Sequence, residues 1–142
     1  EDAEYDLRLV QAGGKIFMDA DIRIGYYPRG RLSALARQYF NYGKGRARTC
    51  LKHGQTLKIR QFLPVALVLG LIFSVLLAAV SPVFLAPIVI YTVTLVGVSL
   101  VMLVIKKSFC GLFCGPVLAA MHIAWGSGFL KQTITTWANK SL

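Results

Sequence analysis

The sequence predicts an α+β polar segment followed by an α-helical membrane region with two or three transmembrane helices. Residues 61–105 contain no Asp, Glu, Lys, Arg or His, whereas residues 22–60 hold ten Lys or Arg and no acidic residue. A bilayer core about 30 Å thick needs about 20 apolar residues for each helical crossing, so the uncharged run is long enough for two crossings. The basic segment is therefore expected to lie at the membrane surface that the chain then enters.

Charged and apolar residues are concentrated in different parts of the chain. The 142 residues carry a net charge of +10 and are 56% hydrophobic, yet all six acids lie in residues 1–21 and twelve of the sixteen Lys and Arg precede residue 61. Because the positive charge directly adjoins an apolar span and no nucleic-acid-binding motif is present, we expect anionic lipids, and not nucleic acid, as a partner. The chain opens within a helical pattern, and we expect it to be the C-terminal piece of a larger protein.

Residues 1–30 carry the expected α+β pattern. Residues 1–12 read as a short helix whose first turns are acidic, as the helix dipole favours, and Gly13 can end it with a positive φ. Residues 15–18 and 21–27 are strand candidates, because the second alternates apolar and polar side chains. Asp19 and Asp21, separated by Ala20, are interpreted as turn residues between these strands.

Residues 31–60 are expected to form an amphipathic interfacial helix and a basic juxtamembrane segment. The helix is predicted over residues 31–42, where apolar residues recur at the spacing of one helix face: Leu32, Leu35, Ala36, Tyr39 and Phe40. Gly43 and Gly45 are predicted to loosen the chain after it. Its apolar face is expected to rest on the membrane or on the membrane helices.

The transmembrane region is placed at residues 61–130, with spans at 61–80, 83–105 and 108–130 and a tail at 131–142. The third stretch is less uniform, so it either crosses fully or forms a re-entrant or interfacial hairpin packed on the other two. The bias of Lys and Arg toward the cytoplasm places the basic flanks there and residues 81–82 on the far side. His122 would be costly in this stretch unless paired, and a backbone carbonyl is its expected partner.

Four stretches carry a resemblance to a known family. They are EDAEYDLR at 1–8, YPR at 27–29, RQYFNYG at 37–43 and HIAWGSGF at 122–129. Their order and spacing are similar to the C-terminal part of bacterial membrane-bound family 2 glycosyltransferases of the succinoglycan-biosynthesis, exopolysaccharide type. The resemblance implies that residues 1–30 are the C-terminal piece of a GT-A catalytic domain in a multi-pass protein of the bacterial inner membrane, with its catalytic side cytoplasmic.

The resemblance also implies a reaction. In that family a GT-A domain binds a nucleoside diphosphate sugar through a divalent cation, Mg or Mn, and a hexose passes to an acceptor with inversion. Asp2 matches the general base and Glu1 is the supporting acid of the pair. The expected acceptor is a polyprenyl-diphosphate-linked sugar. The cation ligands are expected mostly upstream, with none assigned here, so we expect these 142 residues alone to be inactive.

Four residues are candidate contacts to the acceptor or to a phosphate: Arg29, Arg37, Gln38 and Arg46. Processive members of the family carry a Gln-x-x-Arg-Trp signature, but here Asn41 and Tyr42 stand where Arg and Trp would follow Gln38. We therefore expect the addition of one sugar at a time. Two alternatives stay open: these side chains form only a polar helix face, or the chain is a non-catalytic membrane subunit or scaffold with a basic juxtamembrane domain.

Overall fold

The computed structural model describes residues 2–54 and 58–139, with side chains from residue 4 onward. The described residues form five α-helices: α1 (Asp2–Gln11), α2 (Leu32–His53), α3 (Ile59–Leu77), α4 (Ala86–Lys106) and α5 (Cys114–Ala138). Short 3-10 turns at Pro82–Leu85 and Phe109–Phe113 lead into α4 and α5. Among the described residues, short turns thus connect α3 to α4 and α4 to α5, and a long link connects α1 to α2.

That link corrects the α+β expectation for residues 1–30. The predicted first helix is confirmed, and Gly13 ends it with a φ of +84°. The strands predicted at 15–18 and 21–27 are absent: among the residues that the structure describes, this region is turn and irregular chain. The side chains of Phe17 and Tyr27 are 88% and 92% exposed. A strand needs a hydrogen-bonded neighbour, and neither segment has one here.

Helix α2 is longer than the sequence predicts, because it continues through Gly43 and Gly45 to His53. The expectation that these glycines loosen the chain is wrong. Gly43 is buried, and a Cβ at this position would overlap the backbone oxygen of Trp125 and the backbone nitrogen of Phe129. The glycine therefore serves close packing of α2 against α5, which small residues allow.

Three helices are long and apolar enough to cross a membrane: Ile59–Leu77, Pro82–Lys106 and Phe109–Ala138. They lie at about the places of the three spans predicted at 61–80, 83–105 and 108–130. The third helix continues beyond residue 130 to Ala138, so most of the predicted tail at 131–142 is helical, while residues 140–142 lie outside the described part. Residues 114–138 form one uninterrupted helix, with no re-entrant reversal.

Helix α5 connects the two halves of the structure. Its first half runs antiparallel to α4: Gly115 N donates a 2.9 Å hydrogen bond to Ser99 Oγ, and His122 lies beside Tyr91, closer to the start of α4. Its second half packs along α2. The small hydrophobic core consists of Ala47, Val65 and Phe129, with Trp125 and Leu130 packed against it. The core therefore lies where α2, α3 and α5 meet.

Candidate functional site

A cavity of about 520 Å³ lies beside this core, between α2, the start of α3 and the middle of α5. We call it the junction cavity. Its polar and aromatic lining includes Tyr39, Tyr42, Arg46, Thr49, Arg60, Gln61, His122 and Trp125. Two of the stretches that carry the family resemblance, 37–43 and 122–129, therefore meet at one place in the fold.

A second cavity, of about 580 Å³, lies at the first half of α2 and is named here the basic cleft. Its lining includes Arg29, Arg31, Arg37, Gln38, Asn41 and Tyr42. Three of the four predicted acceptor or phosphate contacts thus lie together, whereas Arg46 lies in the junction cavity. Asn41 and Tyr42 line both cavities, so the two are neighbours along α2.

Gln38 has a specific arrangement in the basic cleft. Its Nε2 donates a 2.6 Å hydrogen bond to the hydroxyl of Tyr42, one turn further along α2. Its Oε1 is buried and has no hydrogen-bond partner among the described residues. Buried polar atoms are nearly always paired in native proteins. The unpaired oxygen is therefore available to accept a hydrogen bond from a hydroxyl or N–H of a bound molecule.

His122 is paired, but not with the backbone carbonyl that the sequence suggested. Its Nδ1 lies 3.3 Å from the hydroxyl of Tyr91 on α4. The expected partner is wrong because α4 runs antiparallel to α5 and places Tyr91 beside His122. Trp125 stacks on Phe129, with ring centroids 5.6 Å apart. These contacts fix one wall of the junction cavity.

Helix α1 is tied to the end of α2 by Glu4. Its carboxylate accepts hydrogen bonds from Lys52 Nζ at 2.9 Å and from Arg8 Nε at 3.0 Å, and His53 Nε2 lies 3.0 Å away. The hydrogen bonds from Lys52, first, and His53 lower the pKa of Glu4 to about 2. Sequence analysis missed this contact, because nothing in the local pattern couples residues so far apart.

The two predicted catalytic acids belong to this helix. Glu1 and the side chain of Asp2 lie outside the part of the chain that the structure describes. The backbone of Asp2 begins α1, two residues before Glu4. The structure therefore places the proposed base on a helix that is held against the C-terminal end of the basic helix α2.

The Asp19 and Asp21 pair forms a turn, as predicted. The backbone N–H of Asp21 donates a 2.9 Å hydrogen bond to Asp19 Oδ1. Within residues 2–54 and 58–139, no three His, Cys, Asp or Glu side chains lie close enough together to hold a metal ion. The described residues therefore do not provide a set of ligands for the divalent cation that the resemblance implies.

Both cavities carry positive charge without a neutralising carboxylate. No acidic residue follows Asp21 in the sequence. In the described residues the ion pairs all involve Glu4, so Arg29, Arg37, Arg46 and Arg60 have no acidic partner there. Guanidinium groups bind phosphate oxygens in a bidentate geometry. The arrangement is therefore suited to an anionic ligand, and above all to a phosphate.

The chain is similar in sequence to a bacterial polysaccharide biosynthesis protein. The chain is 37% identical over 134 residues to the succinoglycan biosynthesis protein ExoA of Rhizobium meliloti (strain 1021). The predicted resemblance is confirmed. The aligned region covers 94% of this chain and 40% of the ExoA protein, so the chain spans well under half the length of this homologue. No family model matches the chain, and no solved structure matches it.

Arg60 lines the junction cavity, a position that the sequence does not predict. It belongs to the segment at 31–60 that the sequence predicts to end as a basic juxtamembrane segment. The structure places it in the junction cavity with Arg46, although the two arginines come from different helices. A weak signal was available: Arg60 lies four residues before Pro64, at the start of the first apolar helix.

Proposed function

We propose that this chain is the C-terminal portion of an inverting glycosyltransferase. It would move a hexose from a nucleoside diphosphate sugar to a lipid-linked acceptor in bacterial exopolysaccharide synthesis. The observation that carries the proposal is the 37% identity to a succinoglycan biosynthesis protein over 94% of the chain. The helical membrane region and the uncompensated arginines of α2 are consistent with this role.

In the proposed reaction Asp2 is the general base. Its carboxylate takes the proton from the acceptor hydroxyl while that oxygen bonds to the anomeric carbon and the bond from that carbon to the diphosphate oxygen breaks. Attack from the opposite side inverts the configuration, and the nucleoside diphosphate leaves. Glu1 is the supporting acid. A divalent cation, held mostly by residues upstream of this chain, would neutralise the diphosphate of the donor.

The basic cleft is the proposed contact surface for the acceptor. Arg29 and Arg37 would bind phosphate oxygens, and the free Oε1 of Gln38 would accept a hydrogen bond from a sugar hydroxyl. Asn41 and Tyr42 replace the Arg and Trp of the processive signature. We therefore propose non-processive transfer, in which a single sugar is added before the acceptor leaves.

The proposed site lies beside the bilayer. Helix α2 carries too many Lys and Arg to enter the hydrocarbon core, and the apolar helix α3 begins six residues after its end. A lipid-linked acceptor could thus present its head group to the cleft while its chain stays in the membrane. Holding both substrates at one place supplies much of the rate in a two-substrate reaction. By the positive-inside bias this is the cytoplasmic face of the inner membrane.

The test uses the purified full-length protein, nucleotide sugars and a membrane lipid extract, and measures release of nucleoside diphosphate. We expect metal-dependent release that is abolished in the Asp2→Asn variant. Asp6→Asn is the matched control, because Asp6 is an exposed acid on the same helix. Unchanged release by Asp2→Asn would remove Asp2 as the base. No release by the wild-type protein with any sugar donor would overturn the proposed activity.

A further inference from the structure

We infer that the junction cavity binds the phosphate head group of a membrane lipid, with Arg46 and Arg60 on the phosphate oxygens. This site is distinct from the basic cleft, although Asn41 and Tyr42 line both. The inference rests on the proposed function in one case only, in which the bound lipid is also the sugar acceptor. The shared chemistry is a phosphate or diphosphate on an apolar chain.

The first argument is charge. Arg46 comes from α2 and Arg60 from the second position of α3, and both line one cavity of about 520 Å³. Neither has a carboxylate partner among the described residues. Two guanidinium groups that share a cavity repel each other unless an anion lies between them, and a phosphate can accept hydrogen bonds from both.

The second argument is the supply of other hydrogen-bonding groups. Gln61 Oε1 already accepts a hydrogen bond from the backbone N–H of Lys58, which leaves its amide N–H groups free to donate. The Nδ1 of His122 lies beside the hydroxyl of Tyr91, which leaves Nε2 without a partner in the described structure. A head group in the cavity would therefore meet arginine, amide and imidazole groups contributed by three helices.

The third argument is the apolar side of the cavity. Pro64, Met121 and Trp125 line it, and α3 and α5 continue from there as helices that are apolar enough to cross a membrane. On α3 the neighbouring side chains of Phe62 and Leu63 are more than half exposed. Trp residues are typical of the boundary between membrane and water. A ligand with a charged head and an apolar chain matches this arrangement. A soluble phosphate compound would contact only the charged part of the cavity.

The experiment measures lipid binding to the full-length protein, purified in detergent and stripped of lipid, by native mass spectrometry. The probes are a polyisoprenyl diphosphate, phosphatidylglycerol and inorganic pyrophosphate. The test variant is Arg46→Gln with Arg60→Gln, and the matched control is Lys15→Gln with Arg23→Gln, which removes two exposed charges from the link between α1 and α2. Circular dichroism and thermal unfolding check that both variants fold.

We expect the double arginine variant to bind the lipid probe at least about tenfold more weakly, because a hydrogen bond between charged groups is lost at each position. The control should bind as the wild type does. Preference for polyisoprenyl diphosphate would show that the junction cavity selects an isoprenoid lipid, and equal binding of phosphatidylglycerol would identify a phospholipid site. If the double variant misfolds, Arg46→Lys with Arg60→Lys replaces it and should weaken binding by a smaller factor.

Two results would overturn the inference. One is equal lipid binding by the wild type and by every folded variant of Arg46 and Arg60. The other is binding of pyrophosphate as tightly as of the lipids, which would show that the apolar chain contributes nothing. Sugar transfer is measured separately in the same preparations, so loss of the lipid site and failure of the proposed enzyme activity are distinguishable.

Discussion

Gln38 and Tyr42 are joined by a 2.6 Å hydrogen bond on the face of α2 that lines the basic cleft, and the amide oxygen of Gln38 is buried without a partner among the described residues. The bond holds the side chain of Gln38 in one orientation, because the Tyr42 hydroxyl takes its N–H group. The free oxygen is therefore a fixed acceptor beside Arg29 and Arg37. A pre-oriented acceptor of this kind favours recognition of a hydroxyl-bearing ligand.

The first prediction follows from this pair. Gln38→Met keeps a similar volume but removes the hydrogen bond to Tyr42 and the acceptor oxygen, so it should raise the KM for the lipid-linked acceptor about 3- to 10-fold, the range of one net hydrogen bond. Tyr42→Phe keeps Gln38 and should have a smaller effect. The measurement is steady-state sugar transfer by the full-length protein. Gln11→Met, an exposed residue at the end of α1, is the control, and an equal rise in KM there would refute the assignment.

The second prediction concerns the contact of α2 with α5. Gly43→Ala places a methyl group against backbone atoms of Trp125 and Phe129, which cannot move independently. Overpacking of this kind costs about 1–3 kcal/mol, so the thermal unfolding midpoint in detergent should fall. Gly45→Ala is the matched control in the same helix, because a Cβ there meets no atom within 4 Å. It should raise the midpoint slightly, since Ala favours helix over Gly.

An equal loss of stability in both glycine variants would show that α2 does not pack on α5 as described. Two unchanged unfolding midpoints would lead to the same conclusion, because the two substitutions differ only in the atoms that the added methyl group contacts.

These glycines also show where prediction from sequence succeeds and fails. The apolar helices α3 and α4 were predictable because residues 61–105 lack charge, and the end of α1 was predictable because Gly13 is free to adopt a positive φ. The continuation of α2 through Gly43 was not, because its cause is a helix that lies far along the chain. Glycine reads locally as a helix breaker, and only the position of Trp125 makes it a contact residue.

In the candidate site, too, some groupings of residues could be predicted from sequence and others could not. Arg29, Arg37 and Gln38 are close in sequence, so a common surface could be expected before the structure. The placement of Arg46 and Arg60 in one cavity depends on how α2 and α3 are oriented, which no local pattern encodes. The predicted strands at 15–18 and 21–27 failed for a related reason: alternation favours a strand, but a strand forms only beside a hydrogen-bonded neighbour.

The third prediction concerns Glu4, which ties α1 to α2. Its pKa of about 2 lies below the ordinary value of 4.5, so its contribution to this contact is complete above pH 4.5 and is lost as the pH falls toward 2. Glu4→Gln should release α1 already at neutral pH. The measurement is the mobility of a spin label at Gln11→Cys, in a variant without native cysteines, from pH 7 to pH 2.

Asp6→Asn is the control for Glu4→Gln, because Asp6 lies on the same helix and is exposed. The label should stay as immobile as in the parent at neutral pH in this variant, and it should become mobile on acidification as in the parent. A label whose mobility is the same in the parent and in Glu4→Gln would contradict the anchoring role of Glu4.

The fourth prediction concerns the membrane side on which α5 ends. Arg48 Nε donates a 3.1 Å hydrogen bond to Gln132 Oε1, and Lys131 Nζ lies 5.9 Å from the ring centroid of Phe40. The second half of α5 is therefore in contact with a helix that is too basic for the hydrocarbon core. It follows that residues 131–139 lie at the same face of the membrane as α2.

Single cysteines in the cysteine-free background test this arrangement with a membrane-impermeant maleimide, applied to intact cells and to inverted vesicles. Ser33→Cys on α2 and Asn139→Cys after α5 should react only in the inverted vesicles, because the positive-inside bias places both in the cytoplasm. Ser81→Cys, between α3 and α4, should react only in intact cells. Labelling of positions 33 and 139 from opposite sides would be incompatible with the contact between Arg48 and Gln132, since those side chains cannot meet across a bilayer core about 30 Å thick.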